Sequence, residues 1–573
     1  MLCIPLLLLA AQADASPTTP PTSAEGSTLL ADASTVELIQ QYRADRDALG
    51  RLWSFPLSSA GSKRKLQLAE TWMEHLDALD YQALDHRSRI DWHLLRNQVD
   101  YDRRQIALNR NRDANLAPYV SFAPPLVRLL EDRVARLPVQ GEWCAQILHN
   151  ATDVMLEQRK ALANAEQEVL PTLANRAAGK VEALQRSLRN WFQDHDGYDP
   201  LFGWWCRQPW KALDQEITAY AEFLREDLGG IDPEEEDRLL GNPIGREALL
   251  QALAYERIAY TPEELIAIGE RELEWCMEQR RRAAQELGLG DDWKAAQEAV
   301  KEIHALPGGQ AEMISMLADE AVAFLKERDL VTIPALAEEV WRMDMMSLQR
   351  QKYTPYFTGG EVISIAYPME EMEHGDKRMA MRGNNEPYSR ATVHHELIPG
   401  HHLQGYMSQR WNPHRRFFYT PFLVEGWALY WELRLWDLDF HRTPEDRIGM
   451  LFWRSHRCAR ILFSLRYHLG DWTAEECVDF LVEQVGHERR NATAEVRRSI
   501  QGGYGPLYQC AYMLGGLQLR ALHREMVIEG GWQERDFHDA ILHAGPIPNE
   551  FLRAEMRGLE VPKDFPVGWR FDD

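Results

Sequence analysis

The chain has little of several things, and each shortage excludes a class of protein. It has seven cysteines in 573 residues, and none forms a C-x-x-C pair. That excludes cysteine-based zinc fingers and thioredoxin-like redox motifs, and the wide spacings point to buried small apolar side chains. An export compartment would permit a disulfide, but the sequence assigns no partners. Basic residues are outnumbered, 64 Lys and Arg against 88 Asp and Glu, for a net charge of −24. Nucleic acid and anionic membrane surfaces need the opposite balance, so neither is an expected partner; the acidity serves solubility. Apart from Leu2 to Ala11 there is no long apolar run, and that one is too short to span a bilayer, so no membrane span is expected. The HExxH pair of the familiar zinc proteases is also missing.

The opening MLCIPLLLLAAQADA ends in a small-x-small site at Ala13-Asp14-Ala15, and reads as a signal peptide over 1–15 without a basic start. Cys3 precedes the apolar core, which argues against lipidation. The expectation is an exported protein, periplasmic or secreted. Residues 16–34, rich in Pro, Thr, Ser and Ala, read as a flexible lead.

From 35 to 240 apolar residues recur at three and four, the pattern of a helical N-terminal region. Gly229-Gly230-Ile231-Asp232-Pro233 reads as a helix stop and restart. Helical pattern resumes at Gly245 in a second region spanning 241–573, which the motifs below make the expected catalytic region, and Thr261-Pro262-Glu263-Glu264 is a strong helix start. The β-branched, aromatic stretch Lys352–Tyr367, with a Gly pair inside it, suggests short strands or a hairpin near the functional residues. The fold class expected is mainly α, with a small β-sheet or hairpin.

What is present is HHELIPGHHLQ, which packs four histidines and a glutamate into the eleven residues His394–Gln404. Neutral imidazoles plus a carboxylate are what a catalytic Zn²⁺ needs, and a spare glutamate suits water activation. On an unbroken helix, His401 is turned about 240° from His395 and lies about 9 Å along the axis. His402 shares the face of His395 but sits about 10.5 Å away. A Zn–N bond is about 2.0–2.1 Å, so a straight helix delivers neither pair to one ion. Pro399-Gly400 offers a way out, because proline clashes with the carbonyl four residues back and glycine tolerates almost any dihedral. If two residues loop out, His401 becomes the second ligand and His402 points elsewhere, though His402 stays a rival. The third ligand is expected from VEGWALYWE, where Glu425 fits better than Glu432, since Gly426 beside it permits close backbone approach. Glu432 would orient a ligand histidine. Glu396 would be the general base, while His394 and His402 would serve a supporting shell or the substrate.

HELIPGHHLQ followed by VEGWALYWE closely resembles the HExxPGHHLQ and EGWALY-x-E pattern of the bacterial family catalogued as domain of unknown function 885. GGYGPLYQCAYMLG, from Gly502 to Gly515, and AGPIPNEFLR, from Ala544 to Arg553, resemble its later elements, with Cys510 and Met513 as departures. The resemblance implies a mainly helical zinc-peptidase-like fold of the gluzincin type. It also implies a late-helix tyrosine that stabilises an oxyanion; Tyr512 matches, with Tyr504 and Tyr508 as rivals. The function expected is a zinc-dependent hydrolase of peptide or amide bonds, in which metal-activated water attacks the carbonyl and Glu396 is the base. A hydrolase of non-peptide esters or amides, or a non-catalytic binding protein on the same fold, are the alternatives.

Overall fold

The computed structural model describes residues 34–572, apart from 166–168, 233–234, 236–237, 352–355 and 502–503. The expected signal peptide lies outside the described residues, as does the lead up to residue 33. The described chain is mainly helical.

Local chemistry starts many of the helices where they begin. Ser34 caps Thr35–Leu52 and forms a capping box with Glu37. Thr261, Pro262 and Glu264 do the same for Pro262–Glu286, as the sequence suggests. Helix Pro200–Phe223 continues as a π turn to Leu228, and helical structure resumes at Gly245.

The hydrophobic cores do not follow the division at residue 240. Helices Thr35–Leu52, Ser59–Ala78 and His86–Ala114 send Leu38, Trp72 and Trp92 into the same core as Leu429, Leu514 and Phe551. Helices between Ala123 and Phe223 close a separate core around Leu148, Leu184, Trp191 and Leu213. Two buried ion pairs join segments far apart in the sequence. Arg415 Nε lies 2.8 Å from Asp91, and Arg257 Nε lies 2.8 Å from Glu550.

Six helices and two strands position the site. The helices are α1 (Glu386–Glu396), α2 (His401–Ser408), α3 (Pro421–Asp437), α4 (Pro444–Leu469), α5 (Arg489–Gln501) and α6 (Tyr508–His523). The strands β1 (Arg342–Met345) and β2 (Val362–Ile365) pair in parallel. The sequence marks β2 but not β1, because Arg-Met-Asp-Met lacks β-branched residues. Of the strands or hairpin expected over 352–367, residues 352–355 lie outside the described residues; the described part forms β2 and an antiparallel bridge of Thr358 with Ser364. Ile363 and Ile365 of β2 pack on Val393 and Leu397 at the end of α1, which sets the sheet beside Glu396.

The six described cysteines are buried and unpaired. Among the described residues, no helix is long and apolar enough to cross a membrane.

Candidate metal centre

The site begins where α1 stops. Asn385 caps its start, its side chain accepting from the Tyr388 N–H, and Pro387 sits in the first turn. The helix ends at Glu396 and α2 starts at His401, so the chain between the two histidines is a break and not the bulged continuous helix that the spacing suggests. The Ile398–Pro399 peptide is cis. Helix-end groups are satisfied across the break: Gly400 N–H donates to the His394 carbonyl and His402 N–H to the Leu397 carbonyl. The Trp427 indole donates to the Pro399 carbonyl at 2.8 Å, tying the break to α3. A Cβ at position 400 would collide with the His395 carbonyl, so only glycine fits there.

The break turns His401 back toward His395, with the two rings 4.8 Å apart and almost perpendicular. Helix α3 supplies the carboxylate. Thr420 caps it and Pro421 occupies its first turn, placing Glu425 one turn in. Donor atoms of His395, His401 and Glu425 all lie within 4.8 Å of one another. His401 Nε2 is 3.1 Å and His395 Nε2 is 3.7 Å from Glu425 Oε2. Tetrahedral ligands at zinc bond lengths stand about 3.3–3.5 Å apart, so these spacings bracket what Zn²⁺ requires.

Glu432, two turns further along α3, brings Oε1 within 2.6 Å of His395 Nδ1. His395 is thus held between two glutamates of one helix, Nε2 toward Glu425 and Nδ1 toward Glu432. This is the carboxylate–histidine arrangement that orients metal ligands. Burial works against a charged His395, but Glu425 and Glu432 outweigh it and raise its pKa to about 9. Burial likewise opposes ionised Glu425, yet His401 and His395 hold its pKa well below the usual carboxylate value.

Glu396 closes the last turn of α1 and lines the same cavity. Burial raises its pKa, with His395 and His401 opposing. Gly359 lies directly against its side chain, and Gly360 N–H donates to its carbonyl at 3.1 Å. The Gly pair thus lets the segment before β2 close over the glutamate.

The three tyrosines separate. Tyr508 donates to Glu425 Oε1 in a short hydrogen bond, steadying the carboxylate. Tyr512, one turn later on α6, stacks along the His395 ring at 6.2 Å and lines the cavity. Tyr504 packs on Tyr508 at the more exposed edge. His394 and His402 do not reach the cavity. His394 is buried beside Phe440 and His441, where burial lowers its pKa to about 4. His402 Nε2 meets the Ala337 carbonyl at 2.7 Å, on the far side of α2. Neither is placed to touch a substrate.

The cavity, about 240 Å³, has walls the motif does not announce: Tyr356, Trp453, Arg457, Arg460, Glu495 and Arg498. The available signal is the run WRSHRCARILFSLR, where Arg454, Arg457 and Arg460 recur every three residues. Alone it reads as an amphipathic surface helix.

No curated protein matches the chain. Its fold is similar to that of the putative lipoprotein of unknown function from Shewanella oneidensis. That pair shares 15% identity over 92% of this chain and 100% of the other, with a TM-score of 0.67. It is also similar to the putative lipoprotein from Colwellia psychrerythraea, at 15% identity over 93% and 98% of the two chains and a TM-score of 0.57. Residues 46–556 match the family described as bacterial protein of unknown function, DUF885, and the chain belongs to that family.

Proposed function

We propose that this protein is a zinc-dependent hydrolase of peptide or amide bonds, on a gluzincin-like arrangement of ligands. One observation carries the reading: the donor atoms of His395, His401 and Glu425 converge within 4.8 Å, with Glu396 lining the same cavity. Those three side chains would hold the ion. Bound there, it supplies Lewis acidity toward a carbonyl and toward water.

The chain's own residues do the rest. Glu432 holds His395 in the tautomer that leaves Nε2 free as a ligand. Tyr508 steadies Glu425. Glu396 takes a proton from the attacking water and passes it to the leaving amine, a role that suits a carboxylate whose basicity burial increases. Tyr512 donates a hydrogen bond to the substrate carbonyl oxygen as charge develops there.

Export fits this reading. The apolar leader with its Ala-Asp-Ala site is a secretory pattern, and the two similar structures are named as lipoproteins, an exported class.

The test is Glu396→Gln. The variant keeps its zinc and loses hydrolysis of a peptide library read by mass spectrometry, by a factor of about a hundred or more. Full activity in that variant would falsify the mechanism.

A further inference from the structure

Opposite the histidines, the cavity wall is cationic. Arg457 and Arg460 sit three residues apart on one face of α4, and Arg498 faces them from α5. The first two side chains are 6% and 4% exposed, the third 27%. Burying guanidinium groups is costly unless anions meet them.

The anions they meet fall short. Arg460 Nε lies 2.6 Å from Glu495, and Arg498 Nη2 lies 3.5 Å from the same carboxylate. Arg457 Nη2 is 3.6 Å from Glu432, which is already engaged with His395. Three guanidinium groups thus share two carboxylates. Each also keeps a buried nitrogen that meets no acceptor among the described residues: Nε of Arg457, Nη1 of Arg460 and Nε of Arg498. The other two acids on the cavity wall, Glu396 and Glu425, stand on the histidine side. The wall is therefore one negative charge short.

The position of this wall matters as much as its charge. The guanidinium carbons of Arg457 and Arg460 lie 4.8 and 4.5 Å from the centre of the Tyr512 ring. The same ring lies 6.2 Å from that of His395. Arg457 and His395 also meet the same Glu432 oxygen, at 3.6 and 2.6 Å. The arginines therefore stand roughly 6–11 Å from the candidate metal ligand, a span of about two to three residues of extended chain.

We infer that Arg457, Arg460 and Arg498 form a carboxylate-binding subsite, and that the substrates are short peptides or amides carrying a carboxylate within about two to three residues of the bond cleaved. The reaction assigned to that substrate rests on the hydrolase reading above. The carboxylate comes either from a free chain end or from an acidic side chain.

Binding decides this without turnover. Calorimetry on the full-length Glu396→Gln protein compares Ala-Ala-Ala as the free acid, its C-terminal amide, and Ala-Glu-Ala amide. At least one carboxylate-bearing probe binds about tenfold to a hundredfold tighter than Ala-Ala-Ala amide. Preference for the first identifies a chain end; preference for the last identifies a side chain. Added Arg498→Gln, at the most exposed of the three positions, shrinks that gap at least threefold, and Arg457→Lys shrinks it partly. Equal affinity for acid and amide, no measurable binding of any probe, or a gap unchanged in both arginine variants overturns the subsite. The last outcome would mean that the carboxylate is held by the ion. A carboxylate preference without hydrolysis of any peptide by the unsubstituted protein sinks the hydrolase reading alone. Hydrolysis with no carboxylate preference sinks the subsite alone.

Discussion

Gly426 of α3 and Gly515 of α6 meet backbone to backbone. A Cβ on Gly426 would fall 2.7 Å from the Gly515 Cα, and one on Gly515 would strike the Phe422 carbonyl. That crossing brings Glu425, the neighbour of Gly426, against Tyr508 and Tyr512 on the partner helix. Gly426→Ala should therefore destabilise the fold by about 1–3 kcal/mol through overpacking, and weaken metal binding by displacing Glu425. Urea unfolding with and without chelator measures both effects. A variant as stable as the parent, with unchanged metal affinity, would show that the helices can separate freely.

Glu432 holds His395 on one side and meets Arg457 of the cavity wall on the other, so metal affinity is the readout that isolates its hold on His395. Glu432→Ala should lower metal affinity about tenfold to a hundredfold. Competition with a chromophoric chelator reads this directly. Unchanged affinity would remove Glu432 from the site.

Asp91 and Arg415 join an early helix to the segment just before α3, and Arg415 is fully buried. Asp91→Ala leaves that guanidinium with Glu555 as its one charged partner among the described residues. The expected loss is about 3–5 kcal/mol, measured by denaturant unfolding. A loss under about 1 kcal/mol would mean that water or Glu555 compensates.

Glu256 gives a pH signature away from the histidines. It accepts from Thr420, the cap of α3, and burial raises its pKa from 4.5 to about 7, with Thr420 opposing. Between those values the folded chain holds a proton that the unfolded chain has released. Stability from this group is therefore present below pH 4.5 and is lost as pH rises through about 7. The total is on the order of 3 kcal/mol. Glu256→Gln removes the dependence, so the stability difference between variant and parent should shift in the variant's favour from pH 4.5 to pH 8. A difference that stays flat with pH contradicts the assignment.

The convergence of His395, His401 and Glu425 was legible because it rests on adjacent, chemically rare residues. A proline and a glycine between His395 and His401 signalled that the helix had to yield, and Gly426 signalled a close crossing beside Glu425. The form of the yielding was not legible, since whether a helix bulges or ends depends on tertiary partners such as Trp427. Strand β1 escaped because Arg342–Met345 has no strand chemistry of its own and exists by pairing with β2. Arg457, Arg460 and Arg498 escaped for a related reason. An arginine every third residue looks the same on a solvated face as on a cavity wall, and only the packing of α4 against α5 and α6 distinguishes them.

Elemental analysis of the purified protein tests the central claim most directly. Roughly one zinc per chain is expected in the parent protein, falling to a small fraction of that in His395→Ala, His401→Ala and Glu425→Ala, with His402→Ala unchanged. A parent protein that holds no transition metal after zinc reconstitution, or that keeps its zinc in all three ligand variants, contradicts the account.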